Sequence, residues 1–252
     1  MVFSKTMTEP NSPAIDSTIA SLEFQRNIMA AKLNWLRAGV LGANDGIMST
    51  SGLILGVAAS PGVSSGTILV AGVAAVVAGS ISMAGGEYTS VSAQKDSEKA
   101  ALATERKELA EDPEGELREL AWFYEQKGMS PKLAMQVAEE LTSKDALKAH
   151  AEAELGIDSD HHVSPTQAAL SSFVAFALGG MLPLLAVIGP WVEYRIAATV
   201  ASVVFALILT GFVGAKIGGA KSGRGIFRNL AVSLLTMGVT YVIGHLVGTN
   251  IA

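Results

Sequence analysis

Five apolar stretches, each long enough to cross a bilayer, constrain the fold of this chain more than any other feature. At about 1.5 Å of helical rise per residue, about 20 residues span a hydrocarbon core of about 30 Å. Half of the residues are hydrophobic and only 16% are charged, a more apolar composition than soluble domains of this length have. The sequence predicts an all-α membrane protein with five transmembrane helices, at residues 38–59, 67–91, 166–188, 191–215 and 226–248.

The basic residues predict the orientation of these helices. All of the 18 lysines and arginines except Arg195 lie on alternate loops: before the first stretch, between the second and third, and between the fourth and fifth. Because basic loops remain in the cytosol, we expect the N-terminus inside and the C-terminus on the opposite side. Residues 17–36 carry apolar side chains at helical spacing, which fits either a helix on the inner leaflet or an extension of the first membrane helix.

Composition also excludes several classes of protein. The absence of cysteine excludes disulfides, thiolate zinc sites and iron–sulfur clusters. The basic residues lie beside membrane ends and the soluble part is acidic, so nothing indicates nucleic-acid binding. The polar N-terminus lacks the apolar region of a secretory signal, and the short loops favour a prokaryotic cell membrane over a vacuolar one.

Asp45 lies inside the first apolar stretch, where an ionised carboxylate costs about 2.5–3.5 kcal/mol on insertion scales. Such a residue normally faces a bundle interior or a wet cavity and marks an ion or proton path. The alternative is an aspartate that is paired with a neighbouring group only for folding. In the second stretch, Met83 and Glu87 lie one helical turn apart on one face near the cytosolic end. Spacing alone would make them a core residue and an interfacial acid.

The segment between the second and third stretches differs in kind, because residues 95–162 hold 17 acidic and nine basic side chains. Capping and stop signals in it predict a helical hairpin or bundle on the cytoplasmic side, with breaks at Asp112-Pro113, Gly128, Ser130-Pro131, Ser143 and Gly156. The expected divisions of the chain are an N-terminal cytoplasmic region at 1–36, membrane helices at 37–94, an acidic metal-binding insert at 95–162 and membrane helices at 163–252.

Two E-x-x-E pairs flank the first of these breaks and are candidate metal ligands. The i,i+3 spacing puts both carboxylates of a pair on one helix face. In an antiparallel hairpin, Glu105 would face Glu119 and Glu108 would face Glu116. Four converging carboxylates need cations to neutralise them, as in the carboxylate metal sites of helix bundles. The alternative is an ordinary solvated acidic face.

His150 and Glu154 lie at i,i+4 on one predicted helix face and are further candidate ligands, whereas Glu152 faces away. Oxygen ligands with one imidazole suit Fe(II) or Mn(II) better than Cu(I). Residues 158–162 contain two aspartates and two histidines, but they directly precede the next helix start and fit a solvated linker better.

Four segments resemble the vacuolar iron transporter family: NDGIMSTSGLILGV, ISMAGGEYTSVSAQ, GGMLPLL and NLAVSLLTMGVTYVIGHLVG. The likeness covers about residues 35–250. It implies a homodimer of five-helix protomers in the lipid bilayer that exports Fe(II), often also Mn(II), from the cytosol in exchange for protons. It implies no prosthetic group and no enzymatic activity.

The resemblance also implies roles for individual residues. The family's path runs between protomers and uses an aspartate of the first helix with a methionine and a glutamate of the second, which correspond to Asp45, Met83 and Glu87. Its cytoplasmic domain gathers metal beneath the pore with glutamates that correspond to Glu105, Glu108, Glu116, Glu119 and Glu154.

Two departures from the family bear on metal preference and proton coupling. Where other members often carry a Met-Met pair before the last glutamate, this chain has His150 and Ala151, so the soft ligand is either missing or replaced by imidazole. An acid midway along the second helix of some eukaryotic members is missing from residues 71–82, which leaves Asp45 and Glu87 for proton coupling.

Two other functions fit parts of the pattern. One is a membrane-anchored, ferritin-like iron-binding protein or oxidase with its chemistry in the insert, which oxygen consumption on adding Fe(II) would reveal. The other is a metal-responsive scaffold that binds metal without conducting it. Asp45 argues against the scaffold, since an anchor has no use for an intramembrane carboxylate.

Overall fold

The computed structural model describes residues 13–157, 164–217, 219 and 221–251, with side chains for 35–157, 164–216, 219 and 221–250. Within these residues the chain is helical throughout and contains no β-strand, as predicted. A short 3-10 turn, Val192–Tyr194, precedes the sixth helix. The α-helices are α1 Pro13–Ala58, α2 Ser65–Glu111, α3 Pro113–Gln126, α4 Pro131–Ala153, α5 Pro165–Val187, α6 Arg195–Ile217 and α7 Ser222–Ile251.

Five of these helices have the length and apolar composition needed to cross a membrane, which confirms the predicted number of spans. The candidate spans are Trp35–Ala58, Ser65–Glu111, Pro165–Val187, Val192–Lys216 and Ser222–Asn250. Local signals place two helix starts as expected. The Ser64 hydroxyl accepts a hydrogen bond from the Thr67 N–H, and the Ser164 hydroxyl accepts one from the Gln167 N–H just before Pro165.

Helix α1 lies at the centre of the membrane bundle and packs against α2, α5, α6 and α7. One buried cluster, with Ile47, Val203 and Met237 among its members, joins α1 to α6 and α7. A second cluster, which includes Ile54 and Leu184, joins α1 to α2 and α5. The first apolar stretch is therefore the element around which the others are arranged.

Glycines allow these helices to approach closely. A Cβ atom on Gly46 would overlap the backbone carbonyl of Phe176 in α5, and one on Gly244 in α7 would overlap the carbonyl of Gly56 in α1. Association of helices in lipid depends on such small-residue contacts, because burial of apolar surface supplies no driving force there.

The second helix is longer than the apolar stretch within it. Hydropathy marks a boundary at residues 94–95, but α2 continues without a break to Glu111 and so forms part of the acidic insert. The predicted breaks at Asp112-Pro113 and Gly128 are confirmed: Asp112 Oδ1 accepts from the Gly115 N–H at 2.9 Å, and Gly128 has φ of 95°. The break expected at Ser143 lies instead at Asp145, whose backbone is extended and whose Oδ1 accepts from the Lys148 N–H.

The rest of the insert packs as a small core of its own. Helices α3 and α4 lie against each other through Leu120, Ala121, Ala134, Ala138 and Ala149. Both also contact the end of α2, so three helices rather than two form the unit. At the other end of the chain, the α1 backbone is helical from Pro13, continuous with the first apolar stretch.

Replacing Gly46 by alanine is expected to destabilise the bundle, because the added methyl group has no space beside Phe176. Overpacking of this kind costs about 1–3 kcal/mol. The matched control is Gly238→Ala in α7, where the new Cβ has no neighbour within 4 Å. The apparent melting temperature of the detergent-solubilised protein should fall for Gly46→Ala only, and equal values for both variants would contradict this packing.

Candidate ion path and metal centre

Asp45 lies on the incompletely covered side of α1 and is half-buried. It lines an open cavity of about 690 Å³ between α1, α6 and α7. Most of the lining surface is apolar, and its polar and charged side chains are Arg37, Asn44, Asp45, Thr210, Arg228 and Asn229. The cavity leaves the carboxylate open on one side.

A hydrogen bond between α1 and α6 fixes the backbone beside Asp45. The Thr210 hydroxyl donates to Asn44 Oδ1 at 2.6 Å. Sequence reasoning did not single out either residue, although an asparagine inside an apolar helix is a signal, since an amide in hydrocarbon needs a partner. The pair joins the two helices one residue away from the candidate path aspartate.

Met83 and Glu87 lie on α2 and are both partly buried. The Glu87 side chain is 11% exposed, and its Oε1 lies 3.4 Å from Nη2 of Arg37 on α1. Arg37 also lines the cavity that holds Asp45. It therefore contacts one candidate path carboxylate and lines the same cavity as the other, a position that the sequence did not indicate.

The carboxylate cluster of the insert is built around His150. Its imidazole is fully buried, and Nδ1 lies 2.9 Å from Glu105 Oε1, 3.6 Å from Glu116 Oε2 and 3.5 Å from Glu154 Oε2. Four side chains from α2, α3 and α4 thus meet at one point. Among them, one donor atom each of Glu105, His150 and Glu154 lies within 4.8 Å of the others, a spacing that a single divalent ion can bridge.

Two atoms of the cluster are left without hydrogen-bond partners. Glu105 Oε1 is close to His150 Nδ1 but is not aligned with it for a hydrogen bond, and His150 Nε2 is also buried without a partner. Buried polar atoms normally have partners, so a cation bound by Glu105 Oε1 would satisfy one of these two atoms. Exposure of the side chains rises from 3% at Glu105 through 14% at Glu116 to 26% at Glu154, which places the open side of the cluster at Glu154.

Like charges and burial act on these carboxyl groups together. Burial, with the nearby Glu154, raises the pKa of Glu105 above its ordinary value of 4.5, although His150 acts in the opposite direction. Burial and the neighbouring Glu119 raise the pKa of Glu116 in the same way. A divalent cation at this point would offset the repulsion that causes both shifts.

Of the other two candidate ligands, Glu119 takes a different position from the one expected, whereas Glu108 lies near Glu116, the residue that it was expected to face. Glu119 was predicted to face Glu105, but it acts on Glu116, one turn away on its own helix. Glu108 is exposed and lies near both Glu105 and Glu116 at the rim of the cluster. The register differs because His150 of α4 lies between the two arms of the hairpin. Residues 158–162 lie outside the described residues.

The raised pKa values predict a pH dependence for protein stripped of metal with a chelator. Because the charged form is disfavoured in the folded state, the folded chain binds more protons than the unfolded chain in the pH range between 4.5 and the raised pKa. The melting temperature should therefore rise as the pH falls from 7.5 towards 5. Glu105→Gln should flatten this trend, whereas Glu139→Gln, at an exposed position on α4, should leave it unchanged. If the melting temperature of the wild type changed with pH no more than that of Glu105→Gln, the raised pKa of Glu105 would not be the cause of the pH dependence.

Comparison with known proteins adds a second line of argument. The model of the VIT family matches residues 36–245. The vacuolar iron transporter of Acanthamoeba castellanii is 46% identical over 215 residues, which are 84% of this chain and 78% of that protein. Vacuolar iron transporter homolog 1 of Oryza sativa is 36% identical over 87% of this chain and 77% of its own length. Homolog 3 of Arabidopsis thaliana is 34% identical, with shares of 87% and 86%.

Proposed function

Because the chain belongs to the VIT family, we propose that it exports Fe(II), and also Mn(II), from the cytosol in exchange for protons. Its relatives are named iron transporters, so it is a multi-pass membrane transporter of metal ions and not an enzyme. Iron is its substrate, and no prosthetic group is indicated. The ferritin-like oxidase is accordingly not favoured. The direction of transport, the coupling to protons and the use of Mn(II) belong to the proposal.

The observation that carries the proposal is that one chain has carboxylates both inside its membrane bundle and in its helical insert. Asp45 borders an open cavity in the membrane bundle that several polar side chains line together with apolar ones. Glu105, Glu116, His150 and Glu154 converge in the helical insert. A binding domain alone would need only the second site, and a proton channel only the first. Metal gathered in the insert and passed to intramembrane carboxylates accounts for both.

The coupling follows from the cost of charge in a low dielectric. A carboxylate in the membrane is neutralised by a proton or by a metal ion, and is rarely left bare. If Asp45 and Glu87 alternate between these two states, inward movement of protons drives Fe(II) outward. Met83 supplies a polarisable sulfur that Mg(II) and Ca(II) do not favour.

Assembly and orientation complete the proposal. Asp45 lies at the incompletely covered side of α1, so a second copy of the chain, as a homodimer, would close the path between protomers. The positions of the basic residues support an N-terminus and residues 95–162 in the cytosol and a C-terminus outside, and the short loops favour a prokaryotic cell membrane. In the insert, carboxylate oxygens together with the imidazole of His150 would suit Fe(II) and Mn(II).

Asp45→Asn should abolish metal flux, because an amide cannot exchange a proton for a metal ion. Uptake of Fe(II), Mn(II), Co(II) and Zn(II) into proteoliposomes that enclose a pH dye measures flux and proton movement together. The control is Glu193→Gln, which removes an exposed carboxylate in the 3-10 turn. Full flux in Asp45→Asn, or metal flux without any pH change, would defeat the proposed exchange.

Glu105→Ala should weaken binding of Mn(II) to the full-length protein in calorimetry by about tenfold or more, the loss expected for one charged ligand. Glu108→Ala is the matched control, because that side chain is exposed at the rim. A loss in Glu108→Ala that equals the loss in Glu105→Ala would show that a diffuse acidic surface, and not the buried cluster, holds the metal.

A further inference from the structure

We infer that Arg37 is a tethered cation that competes with the transported metal for Glu87 and thereby sets the metal affinity at the entrance to the membrane path. The inference rests on the proposed function, because it takes Glu87 as a residue that the metal contacts. It assigns a role to a basic side chain that transport of a divalent cation would otherwise disfavour at this position.

The contact joins two helices at the end of the membrane bundle nearest the insert. Arg37 lies eight residues before Asp45 on α1, and its Nη2 is 3.4 Å from Glu87 Oε1 on α2. The Glu87 side chain is 11% exposed. A carboxylate that is so far removed from water needs a counter-ion, and among the side chains that the structure describes Arg37 supplies one.

The pair is formed in a way that allows it to open. It has a single contact at 3.4 Å, whereas strong arginine–carboxylate pairs are bidentate at about 2.7–2.9 Å. The Arg37 side chain is 64% exposed, so its guanidinium can turn towards water or into the Asp45 cavity, which it also lines. Because arginine does not lose its proton, the carboxylate is freed only when the side chain moves away.

Competition of this kind lowers the apparent metal affinity without any loss of ligands. A divalent ion binds Glu87 only in the fraction of molecules whose ion pair is open, so the apparent dissociation constant rises by the inverse of that fraction. Binding of the ion then repels the guanidinium and holds the pair open. The empty path is thus neutralised by the protein's own cation, and the loaded path by the metal.

The test compares three variants in proteoliposome flux assays with Fe(II). Arg37→Gln removes the competing charge and should lower KM about two- to fivefold, the range that corresponds to a partly exposed ion pair. Arg37→Lys keeps the charge and should remain nearer to wild type. Arg228→Gln is the matched control, since Arg228 lines the same cavity from α7 and is exposed. An unchanged or higher KM in Arg37→Gln, or an equal fall in Arg228→Gln, would overturn the inference.

A second measurement uses the wild-type protein and does not depend on the folding of a variant. Phenylglyoxal modifies accessible guanidinium groups, and mass spectrometry reports the extent at each arginine. Saturating Mn(II) should increase the modification of Arg37 and leave that of Arg228 unchanged. If Mn(II) leaves the reactivity of Arg37 unchanged or lowers it, the metal does not displace this side chain.

The outcomes separate this inference from the proposed function. If the wild-type protein carries no metal, or Glu87→Gln leaves both maximal flux and KM unchanged, the proposed path is wrong and the competition falls with it. If the wild-type protein transports Fe(II) and Glu87→Gln impairs transport, while Arg37→Gln leaves KM unchanged, the path stands and only the competition is rejected.

Discussion

The hydrocarbon core of a bilayer holds no water, so every polar group placed there needs a partner within the protein. A helix provides hydrogen-bond partners for its own backbone N–H and C=O groups. The membrane helices of this chain, α1, α2, α5, α6 and α7, are of this kind. Side chains follow the same constraint: the Ser80 hydroxyl donates to the Val76 carbonyl one turn earlier, and the Thr210 hydroxyl donates to Asn44. Asp45 cannot be satisfied by a single neutral donor. It lies beside an open cavity, which leaves its carboxylate uncovered on one side.

Hydropathy and capping residues were sufficient to predict the number of membrane helices and the turns around Asp112 and Gly128. They were insufficient where two local signals compete. The apolar stretch of α2 ends near residue 94, but no glycine or proline follows until Pro113, so the helix has no reason to end with it. Ser143 and Asp145 are both good capping residues, and only packing of α4 on α3 and α2 selects the second.

The candidate site was predictable in its residue types but not in its register. Helical spacing identifies Glu105, Glu116 and Glu154 as members of acidic faces. It cannot predict that His150, which is 45 positions after Glu105, lies between Glu105 and Glu116, because that contact depends on how α4 packs against α2 and α3. Arg37 was missed for the same reason: its ion pair with Glu87 joins two helices, and nothing in the spacing along one helix records it.

The unbroken course of α2 has a mechanical consequence. Glu87 and Glu105 belong to one rod, five helical turns and about 27 Å apart, and therefore project from the same side of it. Any tilt of α2 within the bundle therefore displaces its other end, near Glu105 in the insert, by a larger distance. A rearrangement of a few degrees around Glu87 is thereby amplified to ångström displacements among the carboxylates at the far end, so the two ends cannot move independently.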